Sequence, residues 1–530
     1  MSPTGRIPRR TLLAGAAGIS GAAALGAPPL APRGAAARES AAATYRAAYH
    51  FTVPDQWMND PQRPLLIDGT YHYYYLYNPD YTAGAVGTGW RLATSDDLVT
   101  FRDRGMVIPK DGVNADVWSG SAVVDVDDTA GFGAGAVIVL ATQAPGEGPH
   151  DQAQFLWYST DGGLTFRPHG TAPVLANPGV VDFRDPKVIR DPERGRWVMA
   201  LAENDKIGLY LSENLREWRY VSGFVRGGIG VLECPDLFRI EAADGTARWV
   251  IAASANGKAA GLPNTYAYWL GEFDGETFHA ETAEPRWLDH GFDWYAAVTW
   301  ERYADRAAGV VDPTVRYAIG WANNWDYANT TPTLEADGFN GTDSVVREVR
   351  LVRDPTGALV LASRPVAALD QHVTRTVEFG DVAVNGTLAL PYQGVAYELS
   401  TTLRWDAART VGLQLRASAD GTRHVDVGRH EEYAFVNRGY APNPDASGRW
   451  QESRTPFPAA RGELRLRALV DRTTVEVFFD DGSHTHSHVV FPPPEDTAVN
   501  LFALEGGATF TDLVIREFGQ ARTGRRGHGR

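Results

Sequence analysis

The chain has 530 residues, a formal net charge of −15 and one cysteine, Cys234. The length exceeds one ordinary domain, since roughly 150 residues per domain gives about two to four. The acidic balance argues against nucleic acid or an anionic membrane as partner, and a lone cysteine excludes an internal disulfide and a cysteine-based zinc cluster. Hydrophobic residues reach 44% against 22% charged, so a packed core is expected; aromatics at 11%, with 55 glycines and 32 prolines, favour β structure with many turns.

The first element is not part of a fold. Arg9-Arg10-Thr11-Leu12-Leu13 precedes a weakly apolar Ala/Gly run, then Ala35-Ala36-Ala37. A basic start, an apolar stretch and a small-residue site predict a twin-arginine export signal over 1–37 and a secreted protein. Those residues hold four arginines and no acids, so their removal takes the charge from −15 to −19. No later stretch is apolar enough to span a membrane. At the other end, 521–530 holds four arginines and three glycines and predicts a disordered basic tail.

Between these ends a unit repeats. Leu92–Phe101, Trp157–Phe166, Tyr210–Trp218 and Leu270–Phe278 each run from an apolar strand through a Ser/Asp/Asn/Gly turn to a final aromatic. Each reads as a hairpin with turn chemistry at its tip, and the spacing suits a four-stranded propeller blade. A fifth unit is expected from about Trp294, through Tyr317–Trp321 and Val345–Leu351. The prediction is a five-bladed β-propeller over 45–368.

A second pattern lies near the start of each unit: Trp57-Met-Asn-Asp-Pro61, Trp118-Ser-Gly-Ser121, Phe183-Arg-Asp-Pro186, Glu233-Cys-Pro-Asp236 and Asp293-Trp-Tyr-Ala296. The first strand of a blade lines the central channel, so Asp60, Asp185 and Glu233 are expected to meet around one funnel. From 372 to 520 strands alternate with polar turns, as in Thr474–Phe479 and Thr485–Phe491. That region predicts a β-sandwich and completes an all-β chain. His484, His486 and His488 alternate on one strand face there. With nothing to complete a ligand set they are expected as imidazoles on a solvated face, and no metal or other cofactor is implied.

Two carboxylates across a polar, Trp-walled funnel can cleave a glycosidic bond, one attacking or activating water and the other protonating the leaving oxygen. The residues alone point to a polysaccharide-acting enzyme. The ordered motifs Trp-Met-Asn-Asp-Pro, Trp-Ser-Gly-Ser, Arg-Asp-Pro and Glu-Cys-Pro resemble glycoside hydrolase family 32, over about 48–368 and more loosely to about 520. The resemblance implies a fructan substrate, Asp60 as nucleophile, Glu233 as acid/base and Asp185 as the residue that steadies the transition state. It implies a retaining reaction, with a raised Glu233 pKa supplied by burial and the neighbouring carboxylates. Arg184 is expected as the charge partner of this acidic ring. Trp57, Asn59, Trp118, Ser119 and Trp321 are expected to line the fructose pocket, and Asp293 to bind sugar hydroxyls or serve a turn. Cys234 is expected as a small buried neighbour of the acid.

Two departures from the family pattern stand out. Gln62-Arg63 replaces the usual Asn-Gly after the first motif, and Leu76 replaces a glutamine expected on the pocket wall. With Gly291–Val298 and Gly338–Gly341 they make the chain similar to bacterial levan-acting members. Hydrolysis of β-2,6-fructan to fructose or levanbiose is the expected activity, because Asn59 keeps the hydrolase form. The alternatives are a levan fructotransferase that makes a difructose anhydride and, of another class, a non-catalytic fructan-binding protein.

Overall fold

The computed structural model describes residues 45–110, 116–146, 148 and 150–519. The expected export signal and basic tail lie outside them.

Five antiparallel sheets follow one another along the chain and form the blades of a propeller. Their first strands, Gln56–Pro61, Gly120–Asp125, Phe183–Asp191, Leu232–Glu241 and Tyr295–Asp305, are the inner ones, and they carry the second sequence pattern or begin just after it. Each blade then steps outward through hairpins. The repeated turns tie the third strand to the fourth by one device: Asp97, Asp161, Asn214 and Asp274 each accept two backbone N–H bonds from residues two to four positions ahead. Asp354 does the same in blade 5, between Arg347–Arg353 and Leu359–Pro365. A short polar side chain that captures its own backbone is what a tight turn needs, and this is the physical content of the repeat. The ring closes where Phe339–Asn340, from a long blade 5 loop, pairs in parallel with the inner strand of blade 1 through Gln56↔Phe339 and Trp57↔Asn340.

The second half of the fold is a β-sandwich. Two 21-residue strands, Val373–Gln393 and Ala498–Phe518, pair along their lengths and run through both layers. The early part of Ala498–Phe518 pairs with Thr410–Ala417 and the later part with Tyr397–Trp405. One apolar core, including Val411, Leu413, Val427, Leu466, Val477 and Phe510, fills the space between the layers.

Propeller and sandwich share a buried polar seam. Arg347, in blade 5, is fully buried and donates to Asp289 Oδ2 at 2.8 Å, Ser487 Oγ at 2.5 Å and the Glu476 carboxylate at 3.1 Å. Glu476 Oε1 also accepts from His50 Nε2 at 2.9 Å, and His50 Nδ1 lies 2.9 Å from Asp471. Burial alone would hold His50 neutral, but these two carboxylates outweigh it and raise its pKa to about 9.

The three histidines of 484–488 are not on a solvated face. His486 and His488 are buried in this seam, sharing the Ser453 hydroxyl at 2.7 and 2.8 Å, and His486 also meets Thr455 at 2.9 Å. The strand face that carries them packs on blade 5 and on the sandwich's own edge, so alternation here marks an interface and not a surface. Among the described residues no group of three or more His, Cys, Asp or Glu is placed to hold a metal ion.

Candidate active site

Four of the five inner strands break register at the same end. The irregularities fall between Met58 and Pro61, Arg184 and Lys187, Glu233 and Asp236, and Tyr295 and Val298. In the last three, one residue takes a left-handed backbone: Asp185 at φ +62, Cys234 at +48 and Ala296 at +49. Such a bulge costs energy for a non-glycine residue and re-aims its neighbours. Pro186 and Pro235 fit because a bulge needs no ladder N–H there. The break makes Arg184, Glu233 and Tyr295 equivalent, and likewise Asp185, Cys234 and Ala296. Three blades thus present a pair of side chains each at one end of the channel.

The carboxylates meet there, all nearly buried. Asp60 Oδ1 accepts from Asn59 Nδ2 at 3.0 Å, and its Oδ2 accepts from Ser119 Oγ at 2.5 Å. Asp185 Oδ2 accepts from the Cys234 backbone N–H at 3.0 Å. Cys234 Sγ stands 3.8 Å from Asp60 Oδ2 and 3.7 Å from Asp185 Oδ2, so the small side chain expected there fills the space between two acids. Glu233 Oε1 accepts from Arg184 Nε at 3.1 Å and lies 3.0 Å from Nη2, and its Oε2 accepts from Tyr295 OH at 2.6 Å.

Arg184 joins the blades. It reaches Glu233, stands 4.0 Å from Asp185 and pairs with Asp182 at 2.6 Å. Burial works against its charge, but Glu233, Asp185 and Asp182 together hold its pKa above the ordinary value. Arg184 and the hydroxyl of Tyr295 thus hold Glu233 at both of its carboxylate oxygens.

Tyr295 was not singled out from the sequence. Its position relative to the bulge, matching Arg184 and Glu233, is the signal that could have found it. Trp325 and Tyr81 were also missed. Trp57 stacks on Tyr81 with centroids 4.8 Å apart and lies 5.9 Å from Trp321 and 6.3 Å from Trp325. Trp57 Nε1 donates to Asn59 Oδ1 at 3.2 Å, which carries the aromatic wall's position to Asp60.

Two expected pocket residues are placed otherwise. Asp293 is fully buried and accepts from Arg438 at 2.6 Å, Tyr327 OH at 2.5 Å and Val489 N at 2.7 Å. It is a bracket between blade 5 and the sandwich, with its oxygens committed to protein. Trp321 is fully buried behind Trp57 and Trp325 and backs the wall without facing a ligand. Trp118 is half-buried beside Ser119, and its carbonyl accepts from Trp90 Nε1 at 2.9 Å.

The departures in the first motif are braces. Gln62 Nε2 donates to the Asp60 carbonyl at 3.0 Å, while its Oε1 accepts from Gly120 N at 2.8 Å, tying blade 1 to blade 2 behind Ser119. A Cβ on Gly120 would stand 2.0 Å from the Leu140 carbonyl oxygen, so that approach requires glycine. Arg63 pairs with Glu301 at 2.5 Å. Leu76 is packed in the core between blades 1 and 2, with Tyr74, Trp90 and Trp157. Farther along the channel Lys187 reaches Asp236 at 3.0 Å and the Thr299 carbonyl at 2.8 Å; burial pushes its pKa down to about 8.

This geometry can place a nucleophilic carboxylate, a carboxyl with a proton to give, and a third carboxylate around one sugar ring. The model of the glycosyl hydrolases family 32 N-terminal domain matches residues 50–363, and that of the family 32 C terminal matches 366–517. A levanbiose-producing levanase of Bacillus subtilis is 49% identical over 478 residues, covering 89% of this chain and 91% of its own. A levanbiose-producing levanase of Geobacillus stearothermophilus is 50% identical over 402 residues, covering 75% of this chain and 100% of its own. Among solved structures, exo-inulinase from Aspergillus awamori superposes with a TM-score of 0.78 at 27% identity, over 90% of this chain and 99% of that one. The chain is a member of glycosyl hydrolase family 32.

Proposed function

We propose that this protein is a retaining β-2,6-fructan hydrolase that releases levanbiose from levan, with Asp60, Glu233 and Asp185 as its catalytic carboxylates. The observation that carries the assignment is the convergence of these three residues, from three separate blades, on one cluster joined by Arg184, Ser119 and Cys234. Levan is proposed because two relatives at 49% and 50% identity are levanbiose-producing levanases.

In the first step an Asp60 oxygen bonds to the anomeric carbon as its bond to the glycosidic oxygen breaks. Glu233 gives its proton to that oxygen, and the shortened chain leaves with a free hydroxyl. In the second step water attacks the same carbon, Glu233 takes one of its protons, and the bond to Asp60 breaks. Two inversions return the starting stereochemistry. Asn59 and Ser119 hold the Asp60 carboxylate in place by donating to both its oxygens. Asp185, fixed by the Cys234 N–H, accepts sugar hydroxyls in the transition state. Trp57, Asn59 and Arg184 border this position, and Trp118 flanks it beside Ser119. We read the Arg9-Arg10 segment as an export signal, a reading that suits an enzyme whose polysaccharide substrate lies outside the cell.

Product chromatography of a levan digest tests the reading. Levanbiose should accumulate, and reducing ends should rise in step with it. Loss of levan with reducing sugar at background would mean that a substrate hydroxyl, not water, resolves the intermediate, as in an anhydride-forming transferase.

A further inference from the structure

The sandwich sends one aromatic residue back to the mouth of the propeller. Trp450 sits in the loop between Tyr433–Asn437 and Glu452–Pro456, half-buried, and its Nε1 donates to Asp326 Oδ2 at 3.1 Å. The loop is fixed in place. Arg438, fully buried, donates to the Trp450 carbonyl at 2.8 Å while gripping Asp293 and Tyr327 of blade 5. Trp450 N donates to Asp445 at 2.6 Å, and the indole packs on Phe292 with centroids 5.5 Å apart.

Asp326 belongs to the funnel rim. It follows Trp325 of the aromatic wall, five positions beyond Trp321, which pairs with Tyr295 on the inner strand. It also holds Lys258 of blade 4 in an ion pair. Lys258 in turn lies four positions beyond Ser254, the strand partner of Glu233. Trp450, Asp326 and Lys258 therefore form one connected group above the blade that carries the proposed proton donor.

We propose that Trp450, with Asp326 and Lys258, forms a binding subsite for the fructan chain on the leaving-group side of the cleaved bond. The oxygen that receives the Glu233 proton belongs to the next fructose, so the chain beyond it leaves the funnel over the rim of blades 4 and 5. An indole offers its face to the C–H surface of a furanose, and a carboxylate–ammonium pair beside it meets vicinal hydroxyls. This chemistry fits a neutral polyhydroxylated chain. The subsite rests on the fructan-hydrolase reading and deepens it.

The test compares Trp450→Ala with wild type on long-chain levan and on an aryl β-fructofuranoside, which has no chain beyond the cleaved bond. The subsite predicts a KM for levan raised about ten-fold or more, and a loss of kcat/KM on levan at least ten-fold larger than on the aryl fructoside. Trp450→Phe, which keeps a ring but cannot donate to Asp326, should fall between. Equal losses on both substrates, or none on either, would overturn the proposal. Thermal melting of each variant separates a folding defect from a binding one. Wild-type enzyme that cleaves the aryl fructoside and inulin but not levan would defeat the levan assignment alone, and the same variant comparison on inulin would then decide the subsite.

Discussion

The backbone N–H of Cys234 donates to Asp185 Oδ2 at 3.0 Å, and its Sγ stands within 4 Å of both Asp185 and Asp60. The residue beside the proposed acid on blade 4 thus orients a carboxylate on blade 3 and faces one on blade 1. It can do so because its φ of +48 turns the N–H inward out of the sheet ladder. Bulge geometry, repeated on neighbouring blades, is what couples the acids.

Asp60→Asn should lower kcat by at least about a thousand-fold while leaving the melting temperature nearly unchanged, because the change is isosteric and removes only the nucleophile. Glu233→Gln should lose comparably on levan but recover in part on a substrate whose leaving group needs no proton. Equal loss of Glu233→Gln on both kinds of substrate would count against its role as acid. Mechanism-based labelling should land on Asp60; a label on Asp185 would exchange the two roles.

Tyr295→Phe removes one donor from Glu233 Oε2 without changing the ring. A donor to a carboxylate stabilises its ionised form, so its loss should move the basic limb of the pH–rate profile upward by roughly half a unit or more. The accompanying fall in kcat should be modest, on the order of ten-fold. A profile that keeps its shape would show that the hydroxyl has no part in setting the acid's protonation.

Arg347→Met should destabilise the whole fold by about 3–5 kcal/mol, because Asp289 would remain buried without its cation and Glu476 would keep only His50 as a cation. Denaturant unfolding followed by fluorescence measures this. A loss below about 1 kcal/mol would mean that the seam tolerates uncompensated charge.

His50 gives the seam a pH dependence. Its folded pKa of about 9 lies above the unfolded value near 6.5. The stabilisation is therefore fully present below about pH 6.5 and lost as pH rises through 9, up to about 3 kcal/mol. His486 acts in the opposite sense. Burial, then His290, His488 and His484, hold it well below its ordinary pKa. Its neutral form stabilises the fold above about pH 6.5, and that contribution falls away on acidification. Melting curves from pH 4 to 10 should show both limbs. The gap between wild type and His50→Asn should be widest below pH 6.5 and shrink toward pH 10; a gap constant with pH would refute the charge assignment.

The blade architecture was readable in the sequence because its signals are local. An Asp or Asn that caps its own turn, and an apolar strand before it, need no distant partner, so Asp97, Asp161, Asn214 and Asp274 announce their hairpins one by one. The order of the inner motifs likewise placed Asp60, Asp185 and Glu233 on the inner strands of three blades. What the sequence left undecided depends on contacts between residues hundreds of positions apart. Asp293 reads the same whether it faces a sugar or Arg438, and only packing of the sandwich on blade 5 assigned it to the seam. His484, His486 and His488 show the alternation of a solvated strand, yet that face became an interface. Tyr295 gained its partner Glu233 and Trp450 its partner Asp326 through bulges and loops whose direction is set by neighbouring blades. Sequence determines which side chains are available near each turn and strand; tertiary packing decides which of them are left facing the funnel and which are used up in holding it together.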